Sequence, residues 1–474
     1  MTETSSARHK IDVPRKPEPA PRPRRSMRWL VFVTVALALL MISIDQTSVA
    51  TALSAMQQDL GSSLAWTGWT ITAYALGQIL VLPLAGPMGD RFGTRRVFLL
   101  AIAAFTVMSV LCGLSSGMVQ LIVWRLLQGL SGGVLLPTAT GIIAAEFGRD
   151  RDRAIALFST VFPVGAILGP LAGGIILTVA SWREIFFVNV PVGVLLVCVG
   201  RALIREPPRA EVAGVDLVGV GWLTVLLLSG MVAITRIGAL GDGWLGPASV
   251  AAASVVSVVA GRYLLRHLHR HPNPIIPPRL LTGGHLGLMN VMNVLFGAAV
   301  LGFAALVPHY AQIRYGTAPL VAGGLLTVRA VFMIGSSGVA IVLLRRLGHR
   351  PLLIAGLAAI TVALALTALP PLLGGPAFWL SVGAAVLGLG MGLAAPASNN
   401  AGMHLVPEKA SAVSGLRVMF RQTGSIVAIS VVTAVSSAAA DPAAANTVAF
   451  FALAAVMTAA TVLAARIPNQ RGRW

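Results

Sequence analysis

The segment GPMGDRFGTRR, residues 86–96, places three arginines and one aspartate between two long apolar runs. The whole chain has 474 residues, of which 56% are hydrophobic and only 11% are charged. A soluble protein of this length covers its core with many more charged side chains. The composition therefore predicts an integral membrane protein in which residues 86–96 connect two membrane-spanning helices.

Apolar segments recur along the chain, and each is long enough to cross about 30 Å of hydrocarbon as an α-helix. We predict an all-α integral membrane protein with fourteen transmembrane helices. No small-residue cleavage site follows the first segment, which favours a retained helix over a signal peptide. The predicted helices are 29–52, 66–86, 97–115, 117–143, 154–179, 185–204, 216–236, 244–264, 285–309, 320–344, 351–371, 377–403, 410–435 and 447–466.

Arginine is concentrated at alternate helix ends. Only Arg183, Arg236 and Arg314 lie near one side of the predicted membrane, and cytoplasmic connections carry an excess of Lys and Arg. We therefore predict a cell-membrane protein with both termini in the cytoplasm. The predicted cytoplasmic connections contain Arg91, Arg95, Arg96, Arg149, Arg151, Arg153, Arg205, Arg209, Arg266, Arg270, Arg279, Arg345, Arg346, Arg350 and Lys409.

The net charge of +19 has a second interpretation, nucleic-acid binding. That function requires a basic patch on a folded domain, whereas these arginines are spread over short connections. We therefore expect the lipid bilayer, and not nucleic acid, as the partner of the basic residues.

Residues 1–28 are predicted to form a disordered basic tail in the cytoplasm. His267, His269 and His271 alternate along a basic connection, a pattern more typical of a solvated linker, so no metal is expected.

Five charged residues lie well inside the predicted helices, where a buried charge costs about 3 kcal/mol or more and is usually functional. Asp45 is the only acid among them, and the others are Arg125, Arg329, Arg417 and Arg421. Asp45 and Arg125 lie at a similar depth, roughly 11 Å below the same membrane surface by the helical rise. We predict that they meet and that their contact couples protonation to conformation, with Asp45 as the proton carrier. A static structural ion pair is the alternative.

Other residues near the predicted pair can form hydrogen bonds or allow close packing. Gln128 shares the helix face of Arg125, and Thr47 and Ser48 follow Asp45. In GAILGPLAGG, residues 165–174, small residues recur at a spacing of four beside a proline, which indicates close helix packing and a kink. A phosphate-binding loop is excluded because the segment lacks a lysine and a preceding strand.

These motifs resemble the major facilitator superfamily, and within it the fourteen-helix drug:proton antiporters. Residues 86–96 are similar to the family's loop between helices two and three, RLLQG (125–129) to its helix-four signature, and IDQTSVATAL (44–53) to its helix-one signature. WREIFFVNVPVG (182–193) resembles the segment that leads into helix six. The antiporter signature of helix five is matched by Gly165, Gly169, Pro170, Gly173 and Gly174.

The resemblance implies two pseudo-symmetric six-helix bundles, residues 29–206 and 271–467, joined by a linker with helices seven and eight in 207–270 and followed by a tail, 468–474. It also implies a cytoplasmic charge latch between the bundles, whose residues are Gly86, Asp90, Arg91, Gly93, Arg95 and Arg96. RRLGHR (345–350) is a decayed copy of this motif when aligned on Gly348, with Arg345 in the place of Asp90.

Polar residues on apolar helices are candidates for a substrate cavity between the bundles. Hydrogen bonding between helices uses the same residue types and stays open as their role. Trp69, Tyr74, Met289, Met292 and Phe296 are candidates for an adaptable apolar wall. The polar candidates are Gln78, Gln128, Asn290, Asn293, Asn399, Asn400, Arg417 and Arg421.

The sequence thus predicts a transporter, not an enzyme, that exports hydrophobic or amphipathic drugs or antibiotics in exchange for protons. It is expected to act as a monomer, without a cofactor, on the proton gradient. No nucleotide-binding loop and no catalytic metal or nucleophile motif is present. A proton-independent facilitator or importer of a metabolite is the alternative. Because Asp45 is the single deep acid against four arginines, we favour a neutral or weakly acidic substrate.

Overall fold

The computed structural model describes residues 25–150, 154, 157–158, 161–206, 216–239, 245–272, 274, 278, 284–405 and 410–467. Two predicted tails fall mostly outside these ranges. The ranges exclude residues 1–24 of the N-terminal tail and all of the C-terminal tail, 468–474. The structure describes the backbone but not the side-chain surroundings of five predicted residues, which are Gly86, Asp90, Arg345, Asn399 and Asn400.

Fourteen long helices run through the described ranges. A 3₁₀ turn, Val49–Ala52, and a short helix, Leu53–Asp59, continue the first one, and a short helix, Glu184–Phe187, precedes the sixth. The fourteen helices are α1 Arg25–Ser48, α2 Leu64–Phe92, α3 Thr94–Gly113, α4 Met118–Phe147, α5 Val161–Val179, α6 Asn189–Leu203, α7 Leu217–Thr235, α8 Leu245–Arg270, α9 Gly284–Tyr315, α10 Pro319–Leu347, α11 His349–Ala368, α12 Pro376–Leu405, α13 Ala410–Ala438 and α14 Pro442–Ala464.

Thirteen helical segments in the described ranges are long and apolar enough to cross a membrane, with α1 extended to Asp59 and α6 extended by its preceding helix. The remaining long helix, α2, has 29 residues, which is also long enough to cross about 30 Å of hydrocarbon. The described ranges contain helices and no strand, which confirms the predicted all-α class. Because successive spanning helices alternate in direction, both described chain ends lie at one face. We call it the terminal face and the other the opposite face.

Three consecutive helices have equal lengths in the two halves of the chain. α2 and α10 have 29 residues each, α3 and α11 have 20, and α4 and α12 have 30. The first two helices of each set are separated by one glycine with a left-handed backbone, Gly93 at φ 96° and Gly348 at φ 82°, a conformation that other residues adopt only with strain. The equal lengths support the predicted alignment on Gly348.

The same glycine corrects the prediction for residues 86–96. We expected helix two to end at residue 86 and the charged segment to form a loop. Instead, α2 continues to Phe92 and α3 begins at Thr94, so Gly93 alone interrupts the helices. Apolar length predicts where a helix crosses the membrane, but a charged helix can extend past it into water.

The helices form two bundles with separate apolar cores. In the first, α2 and α3 pack on α4, and α1 packs on α5. In the second, α10 and α11 pack on α12, and α9 packs on α13. The bundles meet along two helix pairs, α5 with α10 and α2 with α13. The α7–α8 pair packs on itself and reaches both bundles through contacts of α7 with α2 and α13.

Candidate transport site

Asp45 and Arg125 form an ion pair inside the first bundle. Arg125 Nη1 donates to Asp45 Oδ2 at 2.7 Å, and neither side chain has exposed surface. They meet because α1 and α4 bring them to the same depth. Removing one member of a buried pair costs about 3–5 kcal/mol, since the other charge is left uncompensated. Each charge therefore depends on the other.

Neutral side chains complete the surroundings of the carboxylate. Asn189 Nδ2 donates to Asp45 Oδ1 at 2.8 Å, and Gln128 Nε2 donates to the same oxygen at 3.3 Å. Gln128 also donates to Ser109 Oγ at 2.8 Å and accepts from Arg125 Nη1 at 2.6 Å. Both carboxylate oxygens therefore have donors, supplied by α4 and α6.

The guanidinium of Arg125 uses only part of its hydrogen-bonding capacity. Its Nε donates to Thr70 O at 2.9 Å, and the ring centroids of Tyr74 and Phe186 lie 4.1 and 5.6 Å from its Cζ. Its Nη2 is buried and has no hydrogen-bond partner among the described residues. An unsatisfied buried donor costs about 1–3 kcal/mol, which favours a change of partner when the bundle rearranges.

The glycines of α5 form the surface on which α1 lies. Ser43 Oγ donates to Phe162 O at 2.7 Å, and Ser48 Oγ donates to Gly169 O at 2.6 Å. Such close contacts between helices require small residues. A Cβ at Gly165, Gly169 or Gly173 would collide with Ser43, Thr47 or Thr51, respectively. Thr47 and Ser48, which the sequence placed near Asp45 as hydrogen-bonding groups, bond α1 and α5 instead.

The other two residues of the predicted signature face the second bundle. Pro170 O lies so close to Gly323 of α10 that a Cβ there would overlap it, and a Cβ at Gly174 would lie 2.9 Å from Leu320 Cα. Helix α5 is therefore held between α1, which carries Asp45, and α10 across the interface. Movement of one bundle against the other therefore changes the packing of this helix.

The bundles are in contact at the opposite face. Ala65 N donates to Ser437 Oγ at 2.8 Å, and Ser54 Oγ lies 2.9 Å from His309 Nδ1. A Cβ at Gly68 would lie 2.9 Å from the methyl carbon of Thr433. Each of these contacts joins an element of the first bundle to one of the second. The opposite face is therefore closed.

Two further hydrogen bonds join the bundles near mid-membrane. Thr327 Oγ1 donates to Ile167 O at 3.1 Å, and Gln422 Nε2 donates to Gln78 Oε1 at 3.1 Å. The described contacts between the bundles thus lie at the opposite face and near mid-membrane. The conformation is closed toward the opposite face.

A cavity of about 280 Å³ lies between the bundles, on the terminal-face side of these contacts. Its walls are mostly apolar, and its polar groups come from Gln46, Gln78, Arg421 and Gln422. Phe162, one residue after the start of α5, also lines it, so the cavity extends toward the terminal face. An apolar cavity with a few polar groups is typical of a small-molecule site.

Tyr74 connects the ion pair to this cavity. Its ring stacks on Arg125, and its hydroxyl is 2.8 Å from the position of a Cβ at Gly132, a cavity residue. The hydroxyl has no hydrogen-bond partner among the described residues. Tyr74 was predicted only as a possible wall residue. It contacts both Arg125 and the cavity wall.

The predicted cavity residues are placed in different surroundings. Gln78 and Arg421 line the cavity, and the Arg421 Cζ lies 5.7 Å from the ring centroid of Phe296. Gln128 does not line it, because its amide is used in the Asp45 cluster and its side chain is fully buried. Asn399 and Asn400 belong to α12, but their side chains lie outside the part of the chain that the structure describes.

The remaining candidates are buried in the second bundle. Asn290 is 5% exposed, and Asn293, 4% exposed, donates to Met289 O at 2.8 Å. Arg417 Nη2 donates to Ser398 Oγ at 2.9 Å. The Arg417–Ser398 bond joins α13 to α12, which is the role between helices that the sequence left open, whereas the Asn293 bond lies within α9.

The described contacts of residues 91–96 lie within the first bundle. Arg95 Nη2 donates to Arg201 O at 2.6 Å, and the Arg95 amide donates to Glu206 Oε1 at 3.0 Å. Arg91 lies over the ring of Phe92, and Arg96 is exposed. Glu206 thus accepts at the N-terminus of α3, where a carboxylate is favourable.

Four residues of these sites were missed by sequence reasoning: Asn189, Gln46, Gln422 and Glu206. Asn189 stands in the quoted segment before helix six, and its polar side chain among apolar neighbours was the available signal. Gln46 directly follows Asp45, but helical geometry turns it away from the ion pair to the cavity.

The sequence model described as Major Facilitator Superfamily matches residues 35–429. The chain belongs to this superfamily. Tetracenomycin C resistance and export protein of Streptomyces glaucescens is 32% identical over 67% of this chain and 59% of its own length. Multidrug resistance protein B homolog of Mycobacterium tuberculosis is 30% identical over 81% of this chain and 72% of its own length. The chain thus spans less than two thirds of the first of these relatives.

Solved structures of the superfamily fold agree with the architecture. The crystal structure of a D-xylose-proton symporter superposes with a TM-score of 0.67 at 14% identity, over 94% of this chain and 99% of that one. This likeness establishes the fold and leaves the transported compound open. The chain is therefore a multi-pass membrane protein of the Major Facilitator Superfamily, with its buried ion pair and its cavity in separate but touching parts of the bundles.

Proposed function

We propose that the protein exports hydrophobic or amphipathic small molecules, antibiotics among them, in exchange for protons. The Asp45–Arg125 pair, buried and linked through Tyr74 to an apolar cavity between the bundles, is the observation that carries the proposal. Relatives named for drug resistance and antibiotic export support the direction of transport. The terminal face is then the cytoplasmic side, in keeping with its arginines, and the monomer needs no cofactor.

The mechanism begins with the conformation described here, in which the cavity takes substrate from the cytoplasm. After the bundles rock open at the opposite face, substrate leaves and Asp45 takes a proton. A protonated carboxyl no longer compensates Arg125, so Arg125 shifts toward other partners and Tyr74 moves with it. This shift favours return to the cytoplasm-open state, where Asp45 releases the proton and pairs with Arg125 again.

The proton gradient supplies enough free energy for this exchange. One proton moving through about 100 mV releases roughly 2.3 kcal/mol. Each pH unit adds about 1.4 kcal/mol, which equals a tenfold concentration ratio. Exchange of a single proton therefore supports a substrate gradient of at least tenfold.

The proposal is tested in proteoliposomes with a fluorescent hydrophobic substrate. A pH gradient of one unit is expected to drive its accumulation about tenfold per proton exchanged, and a protonophore is expected to abolish the accumulation. An unchanged substrate distribution with and without the protonophore would instead identify a proton-independent facilitator.

The charge of Arg421 bears on the substrate class. Asp45 is compensated by Arg125, whereas Arg421 lines the cavity and its Nε has no partner among the described residues. We propose that the cavity prefers neutral or weakly acidic compounds. Preferential export of a cationic dye over an anionic antibiotic would contradict this preference.

Substitution of Arg421 tests the preference directly. Arg421→Gln is expected to lower export of an anionic antibiotic about tenfold or more, since a hydrogen bond to a charged group contributes about 1.5–3 kcal/mol. Export of a neutral compound should change less than about threefold, and Arg421→Lys, which keeps the charge, should retain most anion export. Inverted membrane vesicles provide the rates. Equal losses for both compounds would indicate a structural role.

A further inference from the structure

The α7–α8 pair contains a cluster of metal-ligating side chains at the terminal face. His267 and His271 belong to the last turn of α8 and its immediate continuation, and Asp216 precedes α7. One ligand atom from each of the three residues lies within 4.8 Å of the others. Asp216 is buried, and both histidines are partly buried.

The alternating spacing of the three histidines predicted a solvated linker without a metal. The structure changes this interpretation, since α8 is helical through Arg270 and the His271 amide still donates to His267 O at 2.9 Å. Residues four apart share a helix face, so His267 and His271 stand together, with ring centroids 5.0 Å apart. His269 lies elsewhere, exposed, with its Nδ1 2.7 Å from Leu265 O.

Asp216 is already oriented toward the histidines. Its Oδ1 lies 2.6 Å from His267 Nε2 and accepts from the amide of Gly219 at 2.8 Å. A metal-ligating carboxylate commonly has such a second hydrogen bond, which fixes its direction. The same residue caps α7, so its position does not depend on the metal.

We propose that Asp216, His267 and His271 bind a divalent transition-metal ion such as Zn²⁺. Two imidazoles and one carboxylate form a ligand set that suits zinc and disfavours magnesium. Ligands at about 2.0–2.1 Å from zinc in a tetrahedral arrangement lie about 3.3 Å apart, so small side-chain rotations suffice. Water supplies the fourth ligand at this partly exposed position.

The ion joins the end of α8 to the start of α7. Leu264 and Leu268 on the same side of α8 are buried in an apolar cluster with Leu223 and Met231 of α7. Because α7 also contacts α2 and α13, one helix from each bundle, the site fixes the α7–α8 pair beside the α2–α13 interface. This inference does not depend on the proposed transport function.

The test uses the full-length protein in detergent, carrying an affinity tag without histidine and stripped with a chelator. Calorimetric titration with Zn²⁺ is expected to give one site per chain, and Mg²⁺ should give none. His267→Gln and His271→Gln should each weaken Zn²⁺ binding at least about tenfold, since even indirect changes around a metal cost 10–100-fold. The matched variant His269→Gln should bind within twofold of the parent protein.

A second measurement separates metal binding from misfolding. Zn²⁺ should raise the unfolding temperature of the parent and of His269→Gln, and should leave that of Asp216→Asn unchanged, although Asn preserves the α7 cap. Saturable binding that persists in a His267→Gln/His271→Gln protein would overturn the assignment. So would the absence of saturable binding to the parent protein.

Discussion

Replacing Asp45 with asparagine is expected to abolish proton-driven export while substrate exchange at equal pH continues. Asparagine has nearly the same shape and keeps hydrogen bonds with Asn189 and Gln128, but it cannot take up or release a proton. In proteoliposomes with one pH unit across the membrane, the parent protein should accumulate substrate about tenfold per proton, and the variant should reach a ratio of about one.

The exchange measurement distinguishes this role from a static ion pair. If Asp45 only holds α1 to α4, the variant should lose exchange together with accumulation, or retain both. Asp59→Asn is the matched control, because Asp59 ends the short helix that continues α1 and likewise pairs with an arginine, Arg183. That ion pair is exposed, with the Asp59 and Arg183 side chains 46% and 31% accessible. Exposed pairs contribute about 0–1 kcal/mol, so this control should transport normally.

Gly323→Ala is expected to impair transport strongly, whereas Gly324→Ala is not. A Cβ at Gly323 would overlap Pro170 O of α5 and lie 3.3 Å from the Thr51 methyl carbon, while a Cβ at Gly324 would have nothing within 4 Å. Overpacking costs about 1–3 kcal/mol. The substitution destabilises the state that is closed at the opposite face. It should therefore shift the conformational equilibrium away from that state by roughly 5- to 150-fold.

These two neighbouring glycines carry the same substitution on one helix, so each controls for the other. Vesicle transport should fall at least about fivefold for Gly323→Ala and stay within twofold for Gly324→Ala. Thermal unfolding of both proteins shows whether the loss comes from the interface or from general instability. Similar transport by the two variants would mean that the α5–α10 contact does not limit the cycle.

The sequence predicted the parts of the fold that depend on apolar length and charge. Segments long enough to span the bilayer gave the fourteen helices, and equal depth placed Asp45 opposite Arg125. Helix ends were less accurate, as the continuation of α2 to Phe92 illustrates. A charged helical turn in water has no hydropathy signal that separates it from a loop.

The rest of the candidate site depends on which face of each helix is turned inward. Gln128 and Gln78 are both glutamines on apolar helices, yet one binds within the ion-pair cluster and the other lines the cavity. The spacing of three residues from Arg125 placed Gln128 on the ion-pair face. No local signal directs Gln78 to the cavity, because its position arises from packing between helices distant in sequence. Asn189 escaped notice for the same reason, as its partner is 144 residues away.

The seal at the opposite face has a consequence for the conditions under which the protein works. Within the described residues, hydroxyl, amide and imidazole groups and close-packed glycines join the bundles there, and each described ion pair lies inside one bundle or inside the α7–α8 pair. Mobile ions in solution weaken attraction between exposed opposite charges but act little on neutral groups. We therefore expect the contacts that close the opposite face to be equally stable at low and at high ionic strength.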